Sequence, residues 1–254
     1  MTFFTDTYYM FVRWMKKLAR NPILLFFSLF QPIIFLVLFT QLFKNFGTLF
    51  GVDYVVFATS GIVLQNAFSS AFQSGTAVVD DIRSGFLTKM LATPASRASI
   101  LMGRLLSDAF RVTVQSIIIL VLAYALGVFP TTGFLGYPVI LLTVAFFGLA
   151  WSGISLALGL RTKSAETVFG IAGFLTFPLL FMSTALVSRD AMGVDWMKHV
   201  SDYNPISITV DAIRTVVGPF AFDASKIFVA YGVIALIALI TLGATLYEFR
   251  KIVS

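Results

Sequence analysis

Cysteine is absent from the 254 residues, which excludes disulfides, thiolate metal sites and a cysteine nucleophile and leaves the redox compartment open. His199 is the only histidine. Beside Trp196 and Lys198 it reads as a solvated or interfacial side chain, since no second histidine is there to complete a metal site. Charge is scarce too: Asp, Glu, Lys and Arg make up 12% of the chain, against 58% hydrophobic residues and 28 Phe. That leaves too little polar surface for a soluble globule of this length, so the chain reads as a membrane protein. A net charge of +6 would point to nucleic acid in a soluble chain. Here no basic run with interleaved aromatics lies outside the membrane flanks, so nucleic acid is not an expected partner and the excess reads as topology. Catalytic sets are missing as well. Gly-Lys never occurs, which removes the phosphate loop of an ATPase. Gly153-Ile154-Ser155 comes nearest to a hydrolase elbow but continues to Ala157, and with one remote histidine an intramembrane serine hydrolase is disfavoured.

What the chain does have is apolar runs. About 20 helical residues at ~1.5 Å each cross a ~30 Å hydrocarbon core, and the runs 22–43, 54–79, 112–129, 137–160, 165–187 and 227–247 meet that length or approach it. The expected fold is an all-α membrane protein with six transmembrane helices in one domain. Before the first run, Phe11, Trp14, Met15 and Leu18 share one side of a helix over 5–20, with Arg13, Lys16, Lys17 and Arg20 opposite, the pattern of an interfacial helix. The first run is longer than a signal-peptide core and lacks a small-residue cleavage site, so the segment is expected to be retained. Pro32 is expected to bend the first span. Gly148, Ser152, Gly153 and Gly159 allow close approach along the fourth.

Polar residues inside the runs need partners. Gln65, Asn66, Ser69 and Gln73 cluster on one side of the second span, which should face other helices or a water-filled path. Plain interhelical contact and a substrate path both fit. Arg104, Asp108 and Arg111, three and four residues apart, are expected at or below the membrane interface and internally paired. Residues 189–226 mix charge with apolar positions, and two short helices separated at Asn204-Pro205 are expected there. Asp211 and Arg214 fit an exit gate or an ordinary ion pair.

The main polar interruption runs from Asp80 to Arg97. Asp80 and Asp81 suit the start of a short helix, Pro94 ends it, and Phe86, Leu87, Met90 and Leu91 give it an apolar side, with Arg83 and Lys89 wet. A surface that docks another protein and a charged loop on lipid headgroups both match this pattern. The sequence Asp81 to Gly85, then Leu91-Ala92-Thr93-Pro94, Ser96 and Arg97, resembles the cytoplasmic coupling segment of type-2 permeases of ATP-binding-cassette (ABC) transporters, although that family usually has Glu in place of Asp81. Asn204-Pro205 through Asp211-Ala212-Ile213-Arg214 resembles the family's motif before its last span. The resemblance implies an export permease that pairs with a second copy or a similar subunit and with two ATPase subunits that bind ATP and Mg. It implies no cofactor, metal or catalytic residue in this chain, and a lipophilic cargo: a drug, an antibiotic or a lipid-like molecule. A polysaccharide or lipid-linked glycan exporter, and an ATP-independent transporter or channel, are the alternatives. Lys and Arg gather on the side holding Arg13, Lys16, Lys17, Arg20, Arg83, Lys89, Arg97, Arg104, Arg161, Lys163, Arg250 and Lys251. By the positive-inside rule both ends and the coupling segment are then cytoplasmic, in a plasma (inner) membrane.

Overall fold

The computed structural model describes residues 3–42, 54–217 and 221–251. The connection between the runs 22–43 and 54–79, which reads from the sequence as a short turn over 44–53, lies outside them. Among the described residues ten α-helices follow in order: α1 (Phe3–Ala19), α2 (Pro22–Leu42), α3 (Tyr54–Arg83), α4 (Phe86–Leu91), α5 (Arg97–Ala125), α6 (Gly136–Thr162), α7 (Ala165–Phe181), α8 (Asp195–Tyr203), α9 (Pro205–Val217) and α10 (Ala224–Lys251). Among the described residues there is no strand. Of the described helices four, α3, α5, α6 and α10, are long and apolar enough to cross a membrane, while α2 and α7 are apolar but shorter.

Local chemistry sets several of these boundaries. Ser96 caps α5, its hydroxyl accepting from the Ser99 N–H at 3.1 Å, and Ser164 caps α7 by accepting from Thr167 N–H at 3.2 Å. Each satisfies a donor that a helix start leaves open. Lys163 closes α6 in the left-handed conformation, φ 51°.

Helix α3 is the centre of the bundle. Phe68, fully buried, meets Trp151 of α6 edge-on at 4.7 Å between ring centres, and Phe72 lies 5.2 Å from Phe68. One turn towards the α4 end, α3 and α6 come within backbone contact. A Cβ at Gly159 would strike the Gly75 carbonyl and Val78, and one at Gly75 would strike Ser155. The Ser155 hydroxyl fills that seam by accepting from Gly75 N–H and donating to the Phe72 carbonyl, both at 2.8 Å. On the other side of α6, Thr241 and Thr245 of α10 donate to the Ala150 and Gly153 carbonyls at 2.9 and 2.8 Å. Small residues let backbones meet, and hydroxyls then bond across the gap.

Three boundaries differ from the sequence reading. Asp80 and Asp81 do not start a short helix; they lie in the last turn of α3, which runs on to Arg83, because no breaker precedes Gly85. Helix α5 holds Arg104, Asp108 and Arg111 in its first turns as expected, but it ends at Ala125 rather than near Phe129. Helix α7 stops at Phe181 rather than near Val187, and the residues after it are held by side chains from α9, described below. Helix α1 also sits differently: Trp14 is buried in the protein, and Gly103 lets α1 lie directly on α5, where a Cβ would meet Met10 and the α1 backbone. The exposed aromatics of α1 are Phe3, Phe4, Tyr8 and Tyr9.

The α3–α6 seam yields a prediction. Gly159→Val should lower the thermal midpoint of the detergent-solubilised protein by the equivalent of about 1–3 kcal/mol, the usual cost of overpacking. Gly170→Ala, where nothing lies within 4 Å of the added carbon, should be neutral or slightly stabilising. Equal midpoints for the two variants would contradict the close contact.

Candidate functional site

The polar interruption folds as a turn and one short helix pressed against the bundle. Gly85 turns the chain at φ 68°, a left-handed conformation that costs other residues about 1–2 kcal/mol, and α4 follows. Its apolar side faces inward. Leu87 and Met90 are buried with Trp14, Val78, Leu101, Leu105 and Phe249, so the expectation that they form an outward docking face does not hold. A six-residue helix has too few backbone bonds to stand alone, and this burial is what fixes it. Phe86 and Leu91 are half-buried, while Arg83, Thr88, Lys89, Thr93, Pro94 and Arg97 are exposed. The Thr93 hydroxyl donates to the Met90 carbonyl at 2.6 Å and helps end α4 before Pro94.

Helix α1 grips this element. Arg13 lies over the Phe86 ring at 3.3 Å from its centre and donates to the Met90 sulfur at 3.3 Å. Burial lowers the Arg13 pKa, and the Asp81 carboxylate pulls it back up. Lys17 bonds Asp81 at 3.1 Å, with the lysine half exposed and the carboxylate buried. Asp81 sits at the negative end of the α3 dipole, an unfavourable place for a carboxylate, so Lys17 is its main compensation. Asp80, next to it, is exposed.

A turn and a half deeper, two arginines and one carboxylate are buried together. Arg104 bonds Asp108 at 3.1 Å and Arg111 bonds it at 3.3 Å. Ser74 of α3 also bonds Asp108, and Arg111 donates to the Ser70 carbonyl at 2.7 Å. Gln115 extends the stripe: it accepts from Ser70 at 2.8 Å and donates to Ser28 of α2 at 2.7 Å. The sequence reading missed Gln115, yet its spacing from Asp108 and Arg111 continues one helix face.

Gln65, Asn66, Ser69 and Gln73 line one cavity of ≈ 240 Å³ between α2 and α3, with Ser28, Gln31, Phe27 and Phe35. The Gln65 and Gln73 carbonyl oxygens and the Asn66 nitrogen have no partner there. At the opposite end of the bundle, Asn204 accepts from Ile206 N–H at 2.9 Å and donates to the Leu179 and Met182 carbonyls at 2.8 and 3.2 Å. It thus caps α9, whose first residue is Pro205, and ties it to the end of α7. Arg214 bonds Asp211 at 3.0 Å and the Thr184 carbonyl at 2.5 Å, and lies over the Phe57 ring. These side chains hold the chain after α7 and border a ≈ 560 Å³ cavity. The sequence pattern brings the coupling residues together with α1 and the Asn204-to-Arg214 residues with α7; it does not join the two groups, which lie at opposite ends.

The Lys17–Asp81 pair makes an asymmetric prediction. Lys17→Met leaves a buried carboxylate uncompensated, so it should lower stability by part of the about 3–5 kcal/mol seen when fully buried pairs lose one partner. Asp81→Asn, which removes the charge that needed compensation, should cost less. Adding Asp81→Asn to Lys17→Met should restore stability. If the double variant is less stable than Lys17→Met, the carboxylate is not what Lys17 serves.

Comparison with known proteins agrees with this geometry. Residues 5–218 match the ABC-2 type transporter family. The chain is 30% identical over 233 residues, 91% of its own length and 82% of the relative's, to the daunorubicin resistance ABC transporter permease protein DrrB1 of Streptomyces coeruleorubidus. It is also 30% identical over 219 residues to the putative transport permease ycf38 of Cyanophora paradoxa, covering 84% of this chain and 74% of that one. A third relative, the probable doxorubicin resistance ABC transporter permease protein DrrC of Mycobacterium tuberculosis, is 27% identical over 215 residues, 80% of this chain and 73% of that one. The chain therefore belongs to the ABC-2 type transporter family as a drug-exporter-like permease, a membership that implies association with an ABC ATPase subunit.

Proposed function

We propose that this chain is the membrane half of an ABC exporter that moves a lipophilic drug, antibiotic or lipid-like molecule out across the plasma membrane. Two copies, or one copy and a similar subunit, pair with two ATPase subunits, which bind ATP and Mg and supply the energy. The chain itself performs no chemistry. Six helices cross the membrane in this reading, α2, α3, α5, α6, α7 and α10, and both ends with α4 lie in the cytoplasm.

The observation that carries the reading is the division of labour in α4. Its apolar residues anchor it to α1, α3, α5 and α10, while Arg83, Thr88, Lys89, Thr93, Pro94 and Arg97 stay open. A partner that pushed on the open face would push on α3 and α5, because short turns join α4 to both and its apolar side is packed on the bundle. Coupling of this kind links two distant sites through two states of one body. The cargo would meet the polar cavity between α2 and α3, where aromatic rings and unpartnered amides stand side by side, the usual make-up of a site for an amphiphilic molecule.

Three outcomes test the proposal in proteoliposomes containing the chain and its ATPase. Lys89→Glu combined with Arg97→Glu should weaken ATPase attachment without altering the fold. Gly85→Val should uncouple transport from hydrolysis while Gly85→Asn, a residue that tolerates the left-handed turn, should retain transport. Wild-type transport per ATP in Gly85→Val would count against α4 as the coupling element. Topology is read on this cysteine-free chain with single cysteines: an impermeant reagent outside cells should label Thr131→Cys and spare Thr88→Cys, and the reverse pattern would overturn the orientation.

A further inference from the structure

A second cavity, of ≈ 320 Å³, opens between α1, α3, α5 and the start of α7. It is far larger than the roughly 30 Å³ that one water occupies in the liquid. Its inner wall carries Arg104, Arg111 and Asp108, each more than nine-tenths buried. Two guanidinium groups against one carboxylate leave one positive charge without a buried counter-charge. Both carboxylate oxygens are engaged, Oδ1 by Arg111 and Oδ2 by Arg104 and Ser74.

Two buried donors on residues of this lining are unused. Arg111 Nε and Trp14 Nε1 are buried without a hydrogen-bond partner, and both side chains line the cavity. A buried donor left open costs stability, and an uncompensated buried cation costs more. Both penalties vanish if an anion with free oxygens occupies the space. Lys17 stands at the rim with half its side chain in solvent. Asp80, also at the rim, is exposed, where water and salt weaken its repulsion. The remaining lining is mixed: Asn21, Gln73, Thr76 and Ser107 are polar, while Trp14, Met15 and Leu18 of α1, Ala77 of α3 and Phe169 of α7 supply an apolar part.

We infer that this cavity seats a phosphate group, with the apolar strip along α1 taking the hydrocarbon when the phosphate belongs to a lipid. The phosphate accepts from Arg111 Nε and Trp14 Nε1 and neutralises the extra charge. Basic pockets between membrane helices hold lipid headgroups by this combination of charge and depth. The occupant would bond α1 to α5 beside the Lys17–Asp81 link, so it would brace the contact through which α4 is held. The inference stands apart from the transport reading, since binding needs neither ATPase nor cargo.

The test uses the purified chain in detergent, stripped stepwise of lipid and followed by native mass spectrometry. Phosphatidylglycerol and phosphatidylcholine are each added back, and inorganic phosphate is titrated separately with the thermal midpoint as readout. Wild type should retain one phosphatidylglycerol under conditions that remove phosphatidylcholine. Trp14→Phe, which deletes the N–H and keeps the ring packing, and Arg111→Lys, which keeps the charge and deletes Nε, should each weaken retention about tenfold, the size of one charge-assisted hydrogen bond. If inorganic phosphate raises the midpoint of wild type but not of the variants, and no lipid is retained, the site holds a free anion and the lipid source is discarded. Equal retention of the two lipids with no phosphate effect overturns the inference. So does wild-type behaviour in Trp14→Phe, which decides the matter alone if Arg111→Lys fails to fold.

Discussion

The carboxylate of Asp108 is the constraint around which this end of the molecule is arranged. A charge in an apolar interior costs several kcal/mol unless it is paired and hydrogen-bonded, and Asp108 is buried with Arg104, Arg111 and Ser74 around it. Those partners come from two helices, so α3 and α5 cannot separate without exposing it. Arg111 passes the constraint to the Ser70 backbone, and Gln115 passes it through Ser70 to Ser28 of α2. Helix α1 closes the arrangement: the Trp14 ring lies against Arg104, 4.2 Å from the guanidinium carbon, and Lys17 reaches Asp81 at the tip of α3.

This explains why α4 is rigid although it is short. A helix of six residues has little stability of its own, and α4 borrows it from the cluster that contains Leu87 and Met90. Arg13 holds α4 through the Phe86 ring and the Met90 sulfur, and Lys17 holds Asp81 in the last turn of α3 just before it. In the proposed coupling, force applied at the open face would reach α3, α5 and α1 together, and the close α3–α6 contact at Gly75 and Gly159 would carry it on into the rest of the bundle.

Much of this was legible in the sequence. Apolar runs located the helices, because each must satisfy its backbone internally in lipid, and the spacing of Arg104, Asp108 and Arg111 announced their pairing. The polar side of α3 was legible for the same reason. What periodicity could not show is which side of a short helix turns inward: Phe86, Leu87, Met90 and Leu91 read as an outward face, and only the bundle's own cluster decided otherwise. The same limit applies to α1. Its amphipathic pattern is shared by a helix that lies on lipid and one that lies on α5, and the residue that distinguishes them, Gly103, is eighty-nine positions from Trp14, 103 against 14. The Asp80–Asp81 pair failed as a helix start because acidic residues favour helix beginnings only on average, and here Lys17, remote in sequence, stabilises Asp81 at a helix end.

In the proposed coupling, α1 and α4 move as one body with α3. Spin labels at Lys16 and Lys89, both exposed, would report it directly in the reconstituted complex by pulsed electron paramagnetic resonance, with and without trapped nucleotide. The account predicts that the Lys16–Lys89 distance distribution stays the same in both states while that between Lys89 labels on paired copies shifts. A Lys16–Lys89 distance that changes with nucleotide would mean that α4 hinges independently of α1, and would contradict the account.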